Sequence, residues 1–184
     1  MADISDSGVT CIDGEQFPLN TGHAAVAYVG HQMGYETITE SINDHTVLNT
    51  IQGALKESGE ALVQTYNFDR EEHQNYIDKI IERFMNPHIS DDVTRVARGP
   101  IRKLGAHDRL IRPAAMYVDL TNQTPDNLAT TIAAALQYKN EDDEEAVKLL
   151  QMIKEKGYEK TLQSVSELEA DHPLIKAVMN KIHT

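Results

Sequence analysis

Two polar side chains near the start of the chain, Asn20 and His23, have a spacing that could bring both to one ligand. The apolar spacing from Asn20 onward is typical of a helix, so residues three apart would project from the same face. Gly22 lies between them and removes a side chain where a ligand could approach the backbone. Asn is also a preferred helix N-cap, and a His in the first turn is commonly only solvated. The pair alone leaves a binding role and a structural role open.

A basic stretch between Arg95 and Arg112 is the second candidate, in a chain whose formal net charge is −12. Arginine binds a phosphate dianion through two parallel N–H bonds, so cations gathered against the overall charge favour a sugar-phosphate site. Some of these cations have the spacing of helical ion pairs, which favours a structural role for them: Asp91 with Arg95, and Asp108 with Arg112. We therefore assign Arg98, Arg102 and Lys103 to phosphate binding, and Arg95, Arg109 and Arg112 to structure.

Other patterns exclude several kinds of site. The histidines show no HxxxH spacing, and the single cysteine, Cys11, has no partner for a disulfide or a metal, so we expect no metal site. The acidic run at 141–145 indicates a solvated helix N-terminus, where carboxylates interact favourably with the helix dipole. No glycine-rich loop of the Gly-x-Gly-x-x-Gly or Gly-Lys-Ser/Thr type occurs, so no pyrophosphate cradle is predicted.

Four short segments, in this order and spacing, resemble the C-terminal, substrate-binding half of the polyol-specific long-chain dehydrogenases, the mannitol dehydrogenase family, in its mannitol-1-phosphate 5-dehydrogenase branch. They are NTGHA at 20–24, RFMNP at 83–87, RGPIRKL at 98–104 and DRLIRP at 108–113. The resemblance runs from about Asn20 to the C-terminus. It implies an all-α, multi-helical domain similar to the C-terminal domain of 6-phosphogluconate dehydrogenase, with the family's nucleotide-binding Rossmann domain absent.

For the full-length family, the resemblance implies metal-independent, NAD-linked interconversion of mannitol 1-phosphate and fructose 6-phosphate. Asn20 would hold the reacting oxygen and His23 a neighbouring hydroxyl. Glu15 stands where the family carries its catalytic lysine. Hydride transfer at a carbinol carbon needs donors for an alkoxide and a proton-exchanging group near neutrality, and a carboxylate suits neither task. NAD would belong to the absent domain, so tight NAD binding by this chain alone is not expected.

The sequence leaves two functional interpretations open. The chain is either the substrate-binding portion of such an oxidoreductase or a catalytically inactive, truncated paralogue that acts as a sugar-phosphate-binding or regulatory module. Glu15 favours the second interpretation. The expected partners are a sugar phosphate or polyol phosphate, and either a nucleotide-binding domain supplied in trans or a second copy of the chain.

The 184 residues suit one domain, with an irregular lead-in at 1–19 and a helical domain at 20–184. The acidic charge argues against a nucleic-acid surface or an anionic membrane face. No apolar run reaches membrane-spanning length, and the chain start lacks a signal pattern, so we expect a cytoplasmic protein. Helices are predicted at about 47–66, 69–84, 91–96, 125–137, 142–155 and 172–182, with Pro87 ending the second and Gly157 ending the fifth.

Overall fold

The fold is all-α, as the sequence predicts. The computed structural model describes residues 16–89 and 91–182, and within them no β-strand forms. The helices of this part of the chain are α1 (Gln16–Gln32), α2 (Ile38–Asn43), α3 (His45–Tyr66), α4 (Arg70–Met85), a 3-10 turn (Pro87–Ile89), α5 (Val93–Ala97), α6 (Pro100–Lys103), α7 (Ile111–Thr121), α8 (Asp126–Leu136), α9 (Glu144–Ser166) and α10 (Pro173–Ile182).

The long helices follow the predicted apolar spacing. Helices α3, α4, α5, α8, α9 and α10 lie at the predicted places, and α4 ends at Met85, ahead of Pro87. One predicted boundary is wrong: α1 begins at Gln16, so 16–19 are helical rather than part of an irregular lead-in. The rest of the lead-in, residues 1–15, lies outside the described residues. Asn20 and His23 therefore lie beyond the first turn of α1.

Three helices were not predicted, and each is short or atypical. Helix α2 has six residues and begins with a capping box, in which Thr37 and Glu40 bond each other's backbone amides. Helix α6 has four residues and begins with Gly99 in the left-handed region, φ +74°. Helix α7 carries Pro113 at its third residue, where a proline costs no intrahelical hydrogen bond.

Gly157 divides α9 into two helical segments that meet at a kink. Its φ of +81° and ψ of 168° are non-helical, and the chain continues as helix to Ser166 on the far side of this kink. Only glycine adopts such a conformation readily, because it has no Cβ to clash with the backbone. The predicted end of a helix at Gly157 is confirmed, and the helical segment that follows it to Ser166 was not predicted.

Helix α1 lies at the centre of the core. Every residue from Ala24 to Gly30 is buried, and α1 packs against α2, α3, α4, α5 and α8. A helix buried on all sides shows no amphipathic pattern, since apolar and small residues face every neighbour. Among the described residues, none of the helices combines the length and apolarity needed to cross a bilayer. The fold thus places the His23 turn of α1 against α5 and the segment that follows it.

Candidate functional site

A cavity of about 460 Å³ opens where α1 faces α5 and α6. The residues that line it come from three parts of the chain, and five of the eight are cationic: His23, Ala24, Arg95, Val96, Arg98, Arg102, Lys103 and Arg109. No carboxylate is among these lining residues. Arg98 and Arg102 are exposed, and neither forms an ion pair with any of the described residues. The cavity is thus suited to an anionic ligand.

His23 lies at the edge of this cavity on α1. Its ring stacks on Phe84 of α4, with ring centroids 5.3 Å apart and an interplanar angle of 17°. Nε2 of His23 lies 3.5 Å from Oδ2 of Asp91. Desolvation by this packing lowers the pKa of His23 to about 4, although the negative charge of Asp91 acts in the opposite direction. The imidazole is therefore neutral at pH 7, with one ring nitrogen that donates and one that accepts a hydrogen bond.

Asp91 is held in place by backbone pairing with the segment before α2. The Ile38 amide donates to the Asp91 carbonyl at 2.9 Å, and the Val93 amide donates to the Glu36 carbonyl at 2.9 Å. These bonds flank an isolated antiparallel bridge between Thr37 and Asp92. The carboxylate of Asp91 pairs with Arg95 one turn later, which confirms the predicted helical ion pair. Asp91 therefore links the histidine edge of the cavity to its arginine wall.

Lys103 is a buried lysine, with 5% of its surface exposed. Its ammonium donates to the Val96 carbonyl at 2.7 Å and also to the Arg98 carbonyl. Nζ also lies 6.0 Å from the centroid of the Tyr28 ring. Desolvation, reinforced by the charges of Arg109 and Arg102, lowers the pKa of Lys103 to about 8. Lys103 therefore ties the chain around the cavity together while its side chain lines the wall.

Arg109 closes the other side of the cavity. Its Nε donates to Oδ1 of Asp108 at 2.7 Å, and its carbonyl accepts the Thr21 hydroxyl of α1 at 2.7 Å. The predicted pairing of Asp108 with Arg112 is wrong, because the carboxylate turns to its immediate neighbour Arg109. The Arg112 guanidinium instead lies over the Phe17 ring, 5.3 Å from its centroid.

Comparisons with known proteins show the family of this chain. A sequence profile of the mannitol dehydrogenase C-terminal domain matches residues 16–184. The chain belongs to the mannitol dehydrogenase C-terminal domain family. The chain is 52% identical over 171 residues to the mannitol-1-phosphate 5-dehydrogenase of Oceanobacillus iheyensis, covering 93% of this chain and 44% of that relative. It is 46% identical over 172 residues to the enzyme of that name from Bacillus subtilis, covering 94% of this chain and 45% of the relative. The chain thus spans less than half the length of these relatives.

Solved structures share the fold of this mannitol dehydrogenase C-terminal domain. A ternary complex of Pseudomonas fluorescens mannitol 2-dehydrogenase with NAD and D-mannitol matches with a TM-score of 0.70 at 20% identity, over 97% of this chain and 39% of that one. A D-sorbitol dehydrogenase in substrate-free form matches with a TM-score of 0.57 at 17% identity, over 92% of this chain and 41% of that one. At these identities the likeness establishes the fold.

Within this mannitol dehydrogenase C-terminal domain, four of the residues selected from the sequence line one cavity: His23, Arg98, Arg102 and Lys103. Asn20 lies three residues before His23 on α1, is half-buried, and is not among the lining residues. Glu15 lies outside the described residues. Arg95 and Arg109 were assigned to structure, and each makes an ion pair with a neighbouring aspartate. Both residues also line the cavity, which was not predicted.

Sequence reasoning missed two kinds of residue at this site. Phe84 and Asp91 contact His23 from segments about 60 residues away, and no local pattern indicates such contacts. The acidic run was interpreted as solvated, but its member Asp143 is 5% exposed and accepts the Gly99 amide at 2.9 Å. Its N-cap position was the available signal, because Asp is a favoured N-cap. In the described parts of the chain, no group of three or more His, Cys, Asp or Glu side chains is placed to bind a metal ion.

Proposed function

We propose that this chain is the substrate-binding portion of an NAD-dependent polyol-phosphate oxidoreductase of the mannitol-1-phosphate 5-dehydrogenase type. The observation that carries the proposal is the cavity between α1 and the α5–α6 segment, with cations along its wall and a neutral histidine at its edge. Cations suit a phosphate dianion, and a neutral histidine suits the hydroxyls of a polyol. The names and 46–52% identities of the relatives support the same substrate class.

The phosphate group would be bound by Arg98 and Arg102. Both side chains are exposed at the cavity, and a guanidinium without a carboxylate partner keeps its paired N–H groups available for phosphate oxygens. Lys103 adds positive charge from the wall, while its own N–H groups are directed to backbone carbonyls. We therefore propose direct contact for the two arginines and a mainly electrostatic contribution for Lys103.

The polyol chain would extend from this phosphate site toward α1. His23 would bond a hydroxyl, and Asn20, one turn earlier on the helix, would meet the reacting oxygen as the family resemblance implies. Asp91 supports this role because its carboxylate lies beside Nε2 and favours the tautomer with hydrogen on that atom. That leaves Nδ1 as the acceptor for a hydroxyl.

The nicotinamide cofactor would supply hydride transfer, and the described residues of this chain do not form the fold that binds it. The sequence has no glycine-rich phosphate loop, and the described residues contain no parallel sheet on which such a loop could be built. We assign NAD to a nucleotide-binding domain that acts together with this chain. A cytoplasmic location, where sugar phosphates and NAD occur together, is part of the proposal.

A second candidate function follows from Glu15. A carboxylate in place of the family's lysine removes the proton-exchanging group, and loss of such a group lowers rates by about 10²- to 10⁴-fold. The chain would then bind sugar phosphates without turning them over. Both candidates require the same cavity, and they differ in whether a nucleotide-binding domain restores activity.

Isotope-edited NMR with labelled arginine side chains tests the proposal. Mannitol 1-phosphate is expected to shift the Nε–Hε signals of Arg98 and Arg102 at millimolar concentration, and mannitol is expected to leave them unchanged. Inorganic phosphate serves as the control for the anion alone and should shift the same signals with lower affinity. Equal shifts with mannitol and mannitol 1-phosphate, or none with any anion, would overturn the phosphate assignment.

Addition of the nucleotide-binding half of a close relative, with NADH and fructose 6-phosphate, separates the two candidates. NADH oxidation would support the oxidoreductase. Ligand binding without NADH oxidation would support the binding module, provided that the Glu15→Lys variant gains activity in the same mixture.

A further inference from the structure

The two exposed arginines lie on a short segment that has little structure of its own. We define the arginine turn as residues 98–103, which follow α5, include the whole of α6 and carry both Arg98 and Arg102. It contains a left-handed glycine, Gly99, and a helix of only four residues. A segment this short cannot hold its conformation through local hydrogen bonds, because helix nucleation is unfavourable. Contacts from elsewhere in the fold must therefore fix the positions of the arginines.

Those contacts come from the start of α9, about 40 residues later in the chain. Oδ2 of Asp143 accepts the Gly99 amide at 2.9 Å in a buried hydrogen bond. Oε2 of Glu145 accepts the Arg102 amide at 3.0 Å. The two carboxylates thus bind the backbone next to Arg98 and the backbone of Arg102 itself. Arg98 and Arg102 both line the cavity.

Asp143 bridges two elements with its two oxygens. While Oδ2 accepts Gly99, Oδ1 caps α9 by accepting the amides of Glu145 at 3.1 Å and Ala146 at 3.4 Å. Capping fixes the rotamer of Asp143, so the second oxygen is presented to the arginine turn without further loss of side-chain freedom. The long helix α9 therefore serves as the rigid support for a short binding segment.

The carbonyl groups of the same region are bound by Lys103. Its ammonium can only donate hydrogen bonds, and it donates to the carbonyls of Val96 and Arg98. These two residues precede Gly99 in the chain, whereas Arg102 follows it. Carboxylates thus hold the amides and a buried ammonium holds the carbonyls. In this arrangement of the arginine turn, the Gly99 and Arg102 amides and the Val96 and Arg98 carbonyls all have hydrogen-bond partners.

We propose that Asp143, assisted by Glu145, is a positioning residue that holds Arg98 and Arg102 in the geometry that binds the phosphate group. The inference rests on the proposed function, since it names what supports that site. It also predicts whether phosphate binding weakens or strengthens when the carboxylate is removed. A carboxylate near an anion site repels the anion, so removing it should strengthen phosphate binding unless the carboxylate is needed to place the arginines.

Asp143→Asn is the informative variant, and Asp142→Asn is its matched control. Asparagine is also a good N-cap and keeps α9, but it can no longer present two carboxylate oxygens to the two sets of amides. Asp142 is exposed, adjacent in sequence, and identical in charge, and it makes no side-chain contact with the arginine turn among the described residues. Glu145→Gln and Glu144→Gln form a second pair, with Glu144 exposed as the control.

The affinity of the full chain for mannitol 1-phosphate, measured by calorimetry or NMR, distinguishes a positioning role of Asp143 from simple charge repulsion. The two roles predict changes in affinity of opposite sign. We expect Asp143→Asn to bind about tenfold more weakly, as for loss of one charged hydrogen bond, and Asp142→Asn to bind equally or slightly more tightly. Equal or tighter binding by both variants would overturn the positioning role and leave the proposed function intact.

Amide hydrogen exchange decides the inference without a ligand. In Asp143→Asn the Gly99 and Arg102 amides should exchange at least about tenfold faster, while amides in the middle of α3 keep their rates, which excludes a general loss of stability. Unchanged exchange at Gly99 would refute the positioning role. If wild-type chain bound no phosphate at all, the proposed function would fail, and the exchange result would still show whether Asp143 orders the arginine turn.

Discussion

His23 and Asp91 approach to 3.5 Å, yet the histidine remains neutral at neutral pH. Burial against Phe84 outweighs the attraction of the carboxylate, and the positive charges of Arg95, Arg83 and Lys103 act in the same direction as burial. A neutral imidazole beside a wall of cations adds hydrogen-bonding capacity without adding charge. In the proposed function, the cavity therefore separates two tasks, with arginines for the anion and His23 for a hydroxyl.

This protonation state predicts how stability depends on pH. The pKa of His23 is about 4 in the folded chain and about 6.5 in the unfolded chain, so between these values only the unfolded chain takes up the proton. This difference in proton uptake leaves the free energy of unfolding unchanged above pH 6.5. It lowers that free energy progressively as the pH falls toward 4. Because the side chain is 32% exposed, we expect a modest effect, about 1 kcal/mol between pH 7 and pH 5. Urea unfolding of wild type and His23→Gln at both pH values measures it, and equal pH dependence in the two proteins would contradict it.

Asp91 is predicted to raise the pKa of His23 in the folded protein. Its charge acts against desolvation, so the Asp91→Asn variant should titrate at a still lower pH. NMR titration of the imidazole carbon-bound protons reports this directly. Asp92→Asn is the matched control, since Asp92 is the exposed neighbour and makes no side-chain contact with His23. A pKa that rises in Asp91→Asn, or shifts equally in both variants, would refute the assignment.

The phosphate site is predicted to depend on Arg98 and Arg102 together. The double variant Arg98→Ala/Arg102→Ala should lose at least about tenfold in affinity for mannitol 1-phosphate, because each charged hydrogen bond contributes about 1.5–3 kcal/mol. Lys154→Ala/Lys156→Ala removes the same two charges from the exposed side of α9 and should bind normally. Calorimetry at low and high salt completes the test, and equal losses in both double variants would indicate a general charge effect.

The chain alone is predicted not to bind NADH. Its sequence provides no glycine turn before a helix N-terminus to hold a pyrophosphate. Titration with NADH should give no saturable heat and no saturable fluorescence change at micromolar cofactor, and no NADH should be oxidised with fructose 6-phosphate. A dehydrogenase containing a Rossmann domain is the positive control. Turnover by this chain on its own would refute the prediction.

Gly157 is predicted to be needed for the kink in α9. Its φ of +81° with ψ of 168° is strained for any residue with a Cβ, although nothing lies within 4 Å of where that atom would be. Gly157→Ala should therefore destabilise the fold by about 1–3 kcal/mol through the backbone alone. Lys156→Ala, at the exposed neighbour, should change stability by less than about 0.5 kcal/mol. Urea midpoints compare the two, and a neutral Gly157→Ala would mean that the helix straightens at no cost.

The sequence by itself predicted the helical fold class, most long helices and half of the eight residues that line the cavity. Apolar residues that recur every three or four positions define α3, and Pro87 prevents α4 from continuing, so both are set locally. The clustering of Arg98, Arg102 and Lys103 against a net charge of −12 indicated an anion site. Like charges that lie close together repel one another, and a bound anion offsets this repulsion.

Only the tertiary structure decided how these residues are held. Asp143 was predicted to face solvent at a helix start, and packing α9 against α6 buried it on the Gly99 amide. His23 was expected near a first turn, and burial of α1 on all sides placed it on Phe84 beside Asp91. Hydrogen bonds and desolvation depend on which distant segments of the chain pack together, and a local sequence pattern does not predict that packing. The residues therefore predicted a type of ligand, whereas the protonation state of His23 and the hydrogen bonds that hold the arginine turn came from packing.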